Sequence, residues 1–107
     1  MRLDDRIQLQ KIVVSKDDAQ NLVETKVFGL INKCKIFPNT AASTIKCNDG
    51  QNRIYSYEVV MRKPKSKDDM PQENNIAHIT KSDGTINTEK VVIGFVTLRN
   101  WVKVWLL

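Results

Sequence analysis

Apolar and polar residues alternate from near the start of the chain. Within Leu3-Asp-Asp-Arg-Ile-Gln-Leu-Gln-Lys-Ile-Val-Val14, Ile7, Leu9 and Val13 fall on one parity and Gln8, Gln10 and Ile12 on the other. Successive side chains of a β-strand point to opposite faces, so this period of two predicts a first strand. Residues 15–21 are polar and read as a turn or loop, with room for at most a short helical turn between Asp17 and Glu24. A long extended segment, 22–37, follows, with Phe28, Leu30, Cys34 and Ile36 on one parity and Val27 and Ile31 on the other. An isolated glycine inside a strand pattern marks a bulge or bend, which places one at Gly29. Pro38 and Asn39 end the segment.

Residues 40–52 are small and polar, with Asn48-Asp-Gly50 as a turn signal. The next strand, 53–61, carries Ile54, Tyr55, Tyr57, Val59 and Val60, the β-branched and aromatic types that fit a pleated surface. Residues 62–75 hold two prolines and almost nothing apolar, which predicts a long exposed loop. Strands at 76–80 and from Thr85 flank Lys81-Ser-Asp-Gly84, a hairpin turn with glycine where positive φ is needed. The block 89–107 is the most hydrophobic, and Arg99-Asn100 divides it into two strands unless a bulge bends one strand round a corner. The sum is an all-β fold, a small β-barrel or sandwich of about five to seven antiparallel strands, in one domain spanning 1–107. Parity puts Ile7, Leu9, Val59, Ile93 and Phe95 in its core.

The longest apolar run, 91–96, is far below a membrane span, and the start of the chain has neither the basic-then-apolar order of a signal peptide nor a lipidation motif. The expectation is a soluble protein with no membrane partner. Seventeen basic against twelve acidic residues give +5, enough to favour a polyanionic neighbour, and also a common charge for solubility. Cys34 and Cys47 are too few for a stapled secreted domain and read as reduced thiols. With His78 as the single histidine, no metal-ligand spacing exists, so neither metal nor cofactor is expected. His78 lacks a nucleophile motif, Asp68-Asp69 sits in the loop, and Asp4-Asp5 is placed to solvate or to pair with Arg2 and Arg6. With no glycine-rich phosphate cradle either, no catalytic residue is assigned and an enzyme is not expected.

Two segments remain as candidates. Arg62, Lys63, Lys65 and Lys67 open the 62–75 loop ahead of Asp68, Asp69 and Glu73, so its first half could lie along phosphates, or simply be solvated. A loop of this length in a compact domain usually binds, gates or is disordered. At the carboxyl end, Trp101, Trp105, Leu106 and Leu107 either complete the core or form an assembly interface.

The order of these segments resembles the small head-closure, or stopper, family of bacteriophage head–tail joining proteins in the neck of long-tailed phages. Leu3-Asp-Asp-Arg-Ile-Gln-Leu-Gln-Lys11 is similar to that family's opening strand, and Tyr57-Glu-Val-Val-Met-Arg62 to the central strand that ends in arginine before the long loop. Asp83-Gly-Thr85 with Lys90-Val-Val-Ile-Gly-Phe-Val-Thr-Leu-Arg-Asn-Trp-Val-Lys-Val-Trp-Leu106 is similar to its final hairpin, and together these cover about half the chain. The resemblance implies a virion protein made in the host cytoplasm, a β-barrel subunit of a homo-oligomeric ring under the portal. Such a ring contacts portal or adaptor and tail proteins and retains double-stranded DNA in its channel without reading its sequence. Arg62, Lys63, Lys65 and Lys67 would then face the channel, and Trp101, Trp105 and Leu106 the assembly interface. Two alternatives stay open: a tail-completion or adaptor protein of the same neck, and an OB-like barrel binding single-stranded nucleic acid.

Overall fold

Strand β1 (Asp5–Lys16) is paired on both edges at its start, and that double pairing closes the sheet. A computed structural model describes residues 2–107. After β1 come β2 (Leu22–Pro38), β3 (Thr44–Lys46), β4 (Asn52–Ile54), β5 (Tyr57–Arg62), β6 (Ile76–Thr80), β7 (Asn87–Thr97) and β8 (Trp101–Leu106). Six of them form a closed antiparallel barrel in the order β1-β2-β5-β8-β7-β6, while β3 and β4 make a separate small hairpin. Ile7 shows the closure: it faces Asn32 on β2 and Ile79 on β6.

The period of two decides what lies inside. Ile7, Leu9, Cys34, Ile36, Val59, Met61, Ala77, Ile79, Val92, Val102, Val104 and Leu106 form one buried cluster, contributed by all six barrel strands. These side chains fill the interior of so small a barrel, which serves as a packed core. Asp5 adds a buried carboxylate to its rim, with Oδ2 accepting from the Ile36 amide at 2.9 Å and Oδ1 from the Ser82 amide at 3.0 Å. The expectation for Asp4-Asp5 therefore divides. Asp4 pairs with Arg2 at 3.1 Å, whereas Asp5 is buried and bound to backbone.

Two register shifts bend the barrel. The first lies opposite Gln8 and Gln10 at Gly29 and Leu30 of β2, where the isolated glycine predicted it. The second falls between Val92 and Gly94 on β7, and it corrects the predicted core. Val92 takes the inner position, and Ile93 lies outside the core cluster, lining a cleft with Cys47, Asp49 and Arg53. Phe95 pairs with the inward-facing Val104, yet it is 37% exposed. The reason is local: β6 pairs with β7 only as far as Val91, so no strand covers this level of β7 on its other side. Gly94 is itself required, because a Cβ there would lie 3.0 Å from Ile45 Cδ1, which packs the β3–β4 hairpin against the barrel wall. Arg99 and Asn100 do separate two strands, so the carboxyl block contains both the break and the bulge.

The 62–75 loop departs from its expected full exposure. Ser66 caps a short 3-10 turn, Lys67–Asp69, by accepting from the Asp68 amide. Immediately after it, Met70 packs against the core and Pro71 is fully buried. These two apolar residues plug one side of the barrel, so removing residues 65–72 opens the core and does not simply shorten a loop.

Substitution should rank the core accordingly. Met61→Ala is expected to cost ~2–5 kcal/mol, as for other buried large-to-small changes, and Phe95→Ala only about 1 kcal/mol, both measured by urea unfolding. Equal losses at the two positions would contradict the register described for β7.

Candidate functional site

The chain leaves β5 at Arg62 and is held beside the β7–β8 turn by the Lys63 amide, which donates to the Asn100 carbonyl at 3.0 Å. That turn is itself closed by the Leu98 amide on the Trp101 carbonyl at 2.7 Å. Between them lies a groove of about 480 Å³ lined by Arg62, Lys63, Pro64, Lys65, Arg99 and Trp101, together with Asn100. Lys67 joins Lys63 and Lys65 around an adjoining hollow that also reaches Met70 and Thr97. The four cations singled out in the sequence therefore converge on one end of the barrel, and the fold adds Arg99 to them. All five are exposed, and among the described residues none lies within 4 Å of a carboxylate. Arg99 escaped sequence reading because a turn residue gives no sign of which loop it will face.

The Arg62 guanidinium stands 5.5 Å from the centre of the Trp101 ring and covers one of its faces. Trp101 and Trp105 lie half-buried on β8 alongside Lys103, with Trp105 opposite Glu58 on one side and Gly94 on the other. Leu106 has the opposite parity and is fully buried in the core, which removes it from the predicted assembly interface. The last leucine, Leu107, is exposed, with its amide bonded to the Val91 carbonyl.

A second exposed feature is a hairpin arm. Beyond Leu9, β1 has no pairing with β6, and residues 11–16 pair only with residues 22–27 of β2. The polar tip between them is closed by the Asp17 amide and side chain on Asn21. At about 3.4 Å per residue the arm projects roughly 20 Å, in a molecule measuring 51 × 32 × 28 Å. Ile12, Val14, Leu22 and Phe28 lie on one face and Val13, Val23 and Val27 on the other, all exposed, with Leu22 71% accessible. Leu30 and Ile31 continue the surface at 71% and 58%. The signal in the sequence is the triplet Ile12-Val13-Val14, apolar on both parities where a barrel strand needs only one.

The remaining reactive groups are dispersed. His78 bridges outward to β7, 2.6 Å from Asn87 Oδ1 and 3.8 Å from Glu89. Asp69 pairs with Lys11 at 3.7 Å, tying the loop to the base of the arm. Cys34 is buried and Cys47 half-buried, both free thiols. Among the described residues no three His, Cys, Asp or Glu side chains gather as a metal site. Comparison with protein-family models, curated proteins and solved structures gives no match to this chain.

Burial, and to a lesser degree the nearby Asp5 carboxylate, pushes the Cys34 thiol from an ordinary value near 9 up to about 12. In the unfolded chain this thiol ionises first, so from about pH 9 the unfolded state binds fewer protons and stability falls as pH rises. The thiol contributes up to ~1.4 kcal/mol per pH unit to that fall. Unfolding measured between pH 8 and 11 should show a shallower decline for Cys34→Ala than for the parent chain. In the native protein a thiol reagent should label Cys47 and leave Cys34 unmodified.

Proposed function

We propose that this chain is a structural subunit of the neck of a long-tailed bacteriophage, a head-closure protein whose copies form a ring beneath the portal. In this reading the ring retains packaged DNA and offers the tail a docking surface. The observation that carries it is the end of the barrel where Arg62, Lys63, Lys65 and Lys67 stand exposed without acidic partners. Free cations on a loop attract phosphates without reading base edges, which suits a duplex that slides past. The filled interior supports a scaffold role, since it gives a small substrate no chamber within the barrel.

A single-strand binder needs open aromatic faces beside a basic groove, so that bases can stack. Here Arg62 covers one face of Trp101, and Tyr57 packs against the core. The geometry therefore favours duplex retention over base stacking.

The test is a charge reversal, Lys63→Glu with Lys65→Glu and Lys67→Glu, in phage particles. The expected result is particles that assemble but lose their DNA, while the isolated variant unfolds at the parent's denaturant midpoint. For the isolated parent, duplex binding should be sequence-indifferent and weaken steeply with salt. Infectious particles that keep their genome despite the three reversals would overturn the proposal.

A further inference from the structure

The arm needs a partner that the isolated chain does not supply. A two-stranded ribbon with apolar residues on both faces is marginal in water, and both edges of this one carry unpaired backbone groups. Such an edge is a template for pairing with another chain. Its own register leaves charge opposite hydrocarbon: Val14 faces Glu24, Ile12 faces Lys26 and Lys16 faces Leu22.

We propose that the partner is the arm of a second copy, with β2 residues 24–28 of one chain pairing antiparallel with β1 residues 12–16 of the next. This rests on the ring reading above, because copies related by rotation hold their arms side by side and pointing the same way. In that arrangement each β2 meets a neighbouring β1 running antiparallel to it. A stagger of two residues from the arm's internal register then sets Lys16 opposite Glu24 of the next chain, Ile12 opposite Phe28 and Val13 opposite Val27. No stagger repeats the internal mismatches, and a stagger of four opposes Lys16 with Lys26. The reverse stagger sets Ile12 against Glu24 and carries Lys16 past the strand to Gln20. Opposite charges and apolar pairs facing across strands are favourable, and like charges are not. An even stagger also keeps each residue on its own face. The product is a crown of hairpins in which every inner edge is paired, joined by head-to-tail contacts of the kind that close into rings.

Disulfide trapping reads the register directly. In a Cys47→Ser background, separately purified Val13→Cys and Val27→Cys chains are mixed at high concentration and oxidised. They should give a covalent dimer at several times the yield of a Val13→Cys and Thr25→Cys mixture. Lys16→Glu should weaken self-association by about five-fold per contact in sedimentation, and adding Glu24→Lys in the same chain should restore it. No cross-link at any concentration, equal yields from the two mixtures, or no rescue by the double reversal would each overturn the arm pairing. The ring reading fails separately: cross-linked arms from a chain that is missing from the neck of particles would sink that reading and leave the pairing intact. A neck ring that tolerates Lys16→Glu unchanged would do the opposite.

Discussion

Closure of the barrel depends on one buried carboxylate. Asp5 begins β1, is 1% exposed, and accepts one amide from β2 and one from the turn between β6 and β7. A carboxylate taken out of water is costly unless hydrogen bonds replace its hydration, and two charge-assisted backbone bonds do so here. The same bonds fix β1 between its two neighbours. Because β1 is paired on both sides only over residues 6–9, little else holds that seam, and the side chain at its start sets the register of everything that follows.

The arm and the plug both follow from unequal strand lengths. β6 has five residues against twelve in β1 and seventeen in β2, so the surplus of the first two strands runs on past the barrel as a ribbon. Where β6 ends, side chains take over from the ladder: Gln10 Oε1 accepts from the Ile76 amide, and Asn75 donates to the Gln10 carbonyl. Beyond that point β7 and β1 have no strand between them. The 62–75 loop occupies this side of the molecule, reaching Lys11 through Asp69 and Thr97 through Met70, with Pro71 buried beneath. Its length is thus partly structural, since an open seam in a small barrel must be covered.

The fold class, the strand boundaries near Pro38 and Arg99, the bulge at Gly29 and the turn at Gly84 were legible because each has a local cause: period two, ring closure at proline, or a residue without Cβ. Gly84 does adopt positive φ, at 78°. The parity of β7 was not legible, since Val91 to Val96 is apolar at almost every position and a bulge inside such a run changes which residues face inward without leaving a mark. Leu106 was misjudged for a related reason: Trp105, Leu106 and Leu107 are all apolar, and only the pairing with β5 and β7 assigns the middle one to the core. Met70 and Pro71 looked like parts of a polar loop because a plug needs only two side chains, too few to show a period. The basic cluster was legible for its loop members and not for Arg99, whose position beside them is a fact of tertiary structure.

Electrostatics connects the two exposed features. Asp4, Asp49 and Asp69 each sit beside a cation, Arg2, Arg53 and Lys11, whereas the cations at the basic end keep no such partner among the described residues. A cation already neutralised adds little to the field felt by a phosphate, so the net +5 of the chain acts through those that remain free. In an assembly their effect also depends on pointing the same way, because lysines scattered over unrelated directions are screened from one another within about 10 Å at ordinary salt. The contact between Lys11 and Asp69 matters here, since it fastens the basic loop to the base of the arm. Under the proposed pairing, whatever fixes one arm against the next also fixes the angle between successive loops. Arms in register would then hold the free lysines at one radius around a common axis, where a ring of modestly basic subunits acts on DNA as a single strongly charged collar.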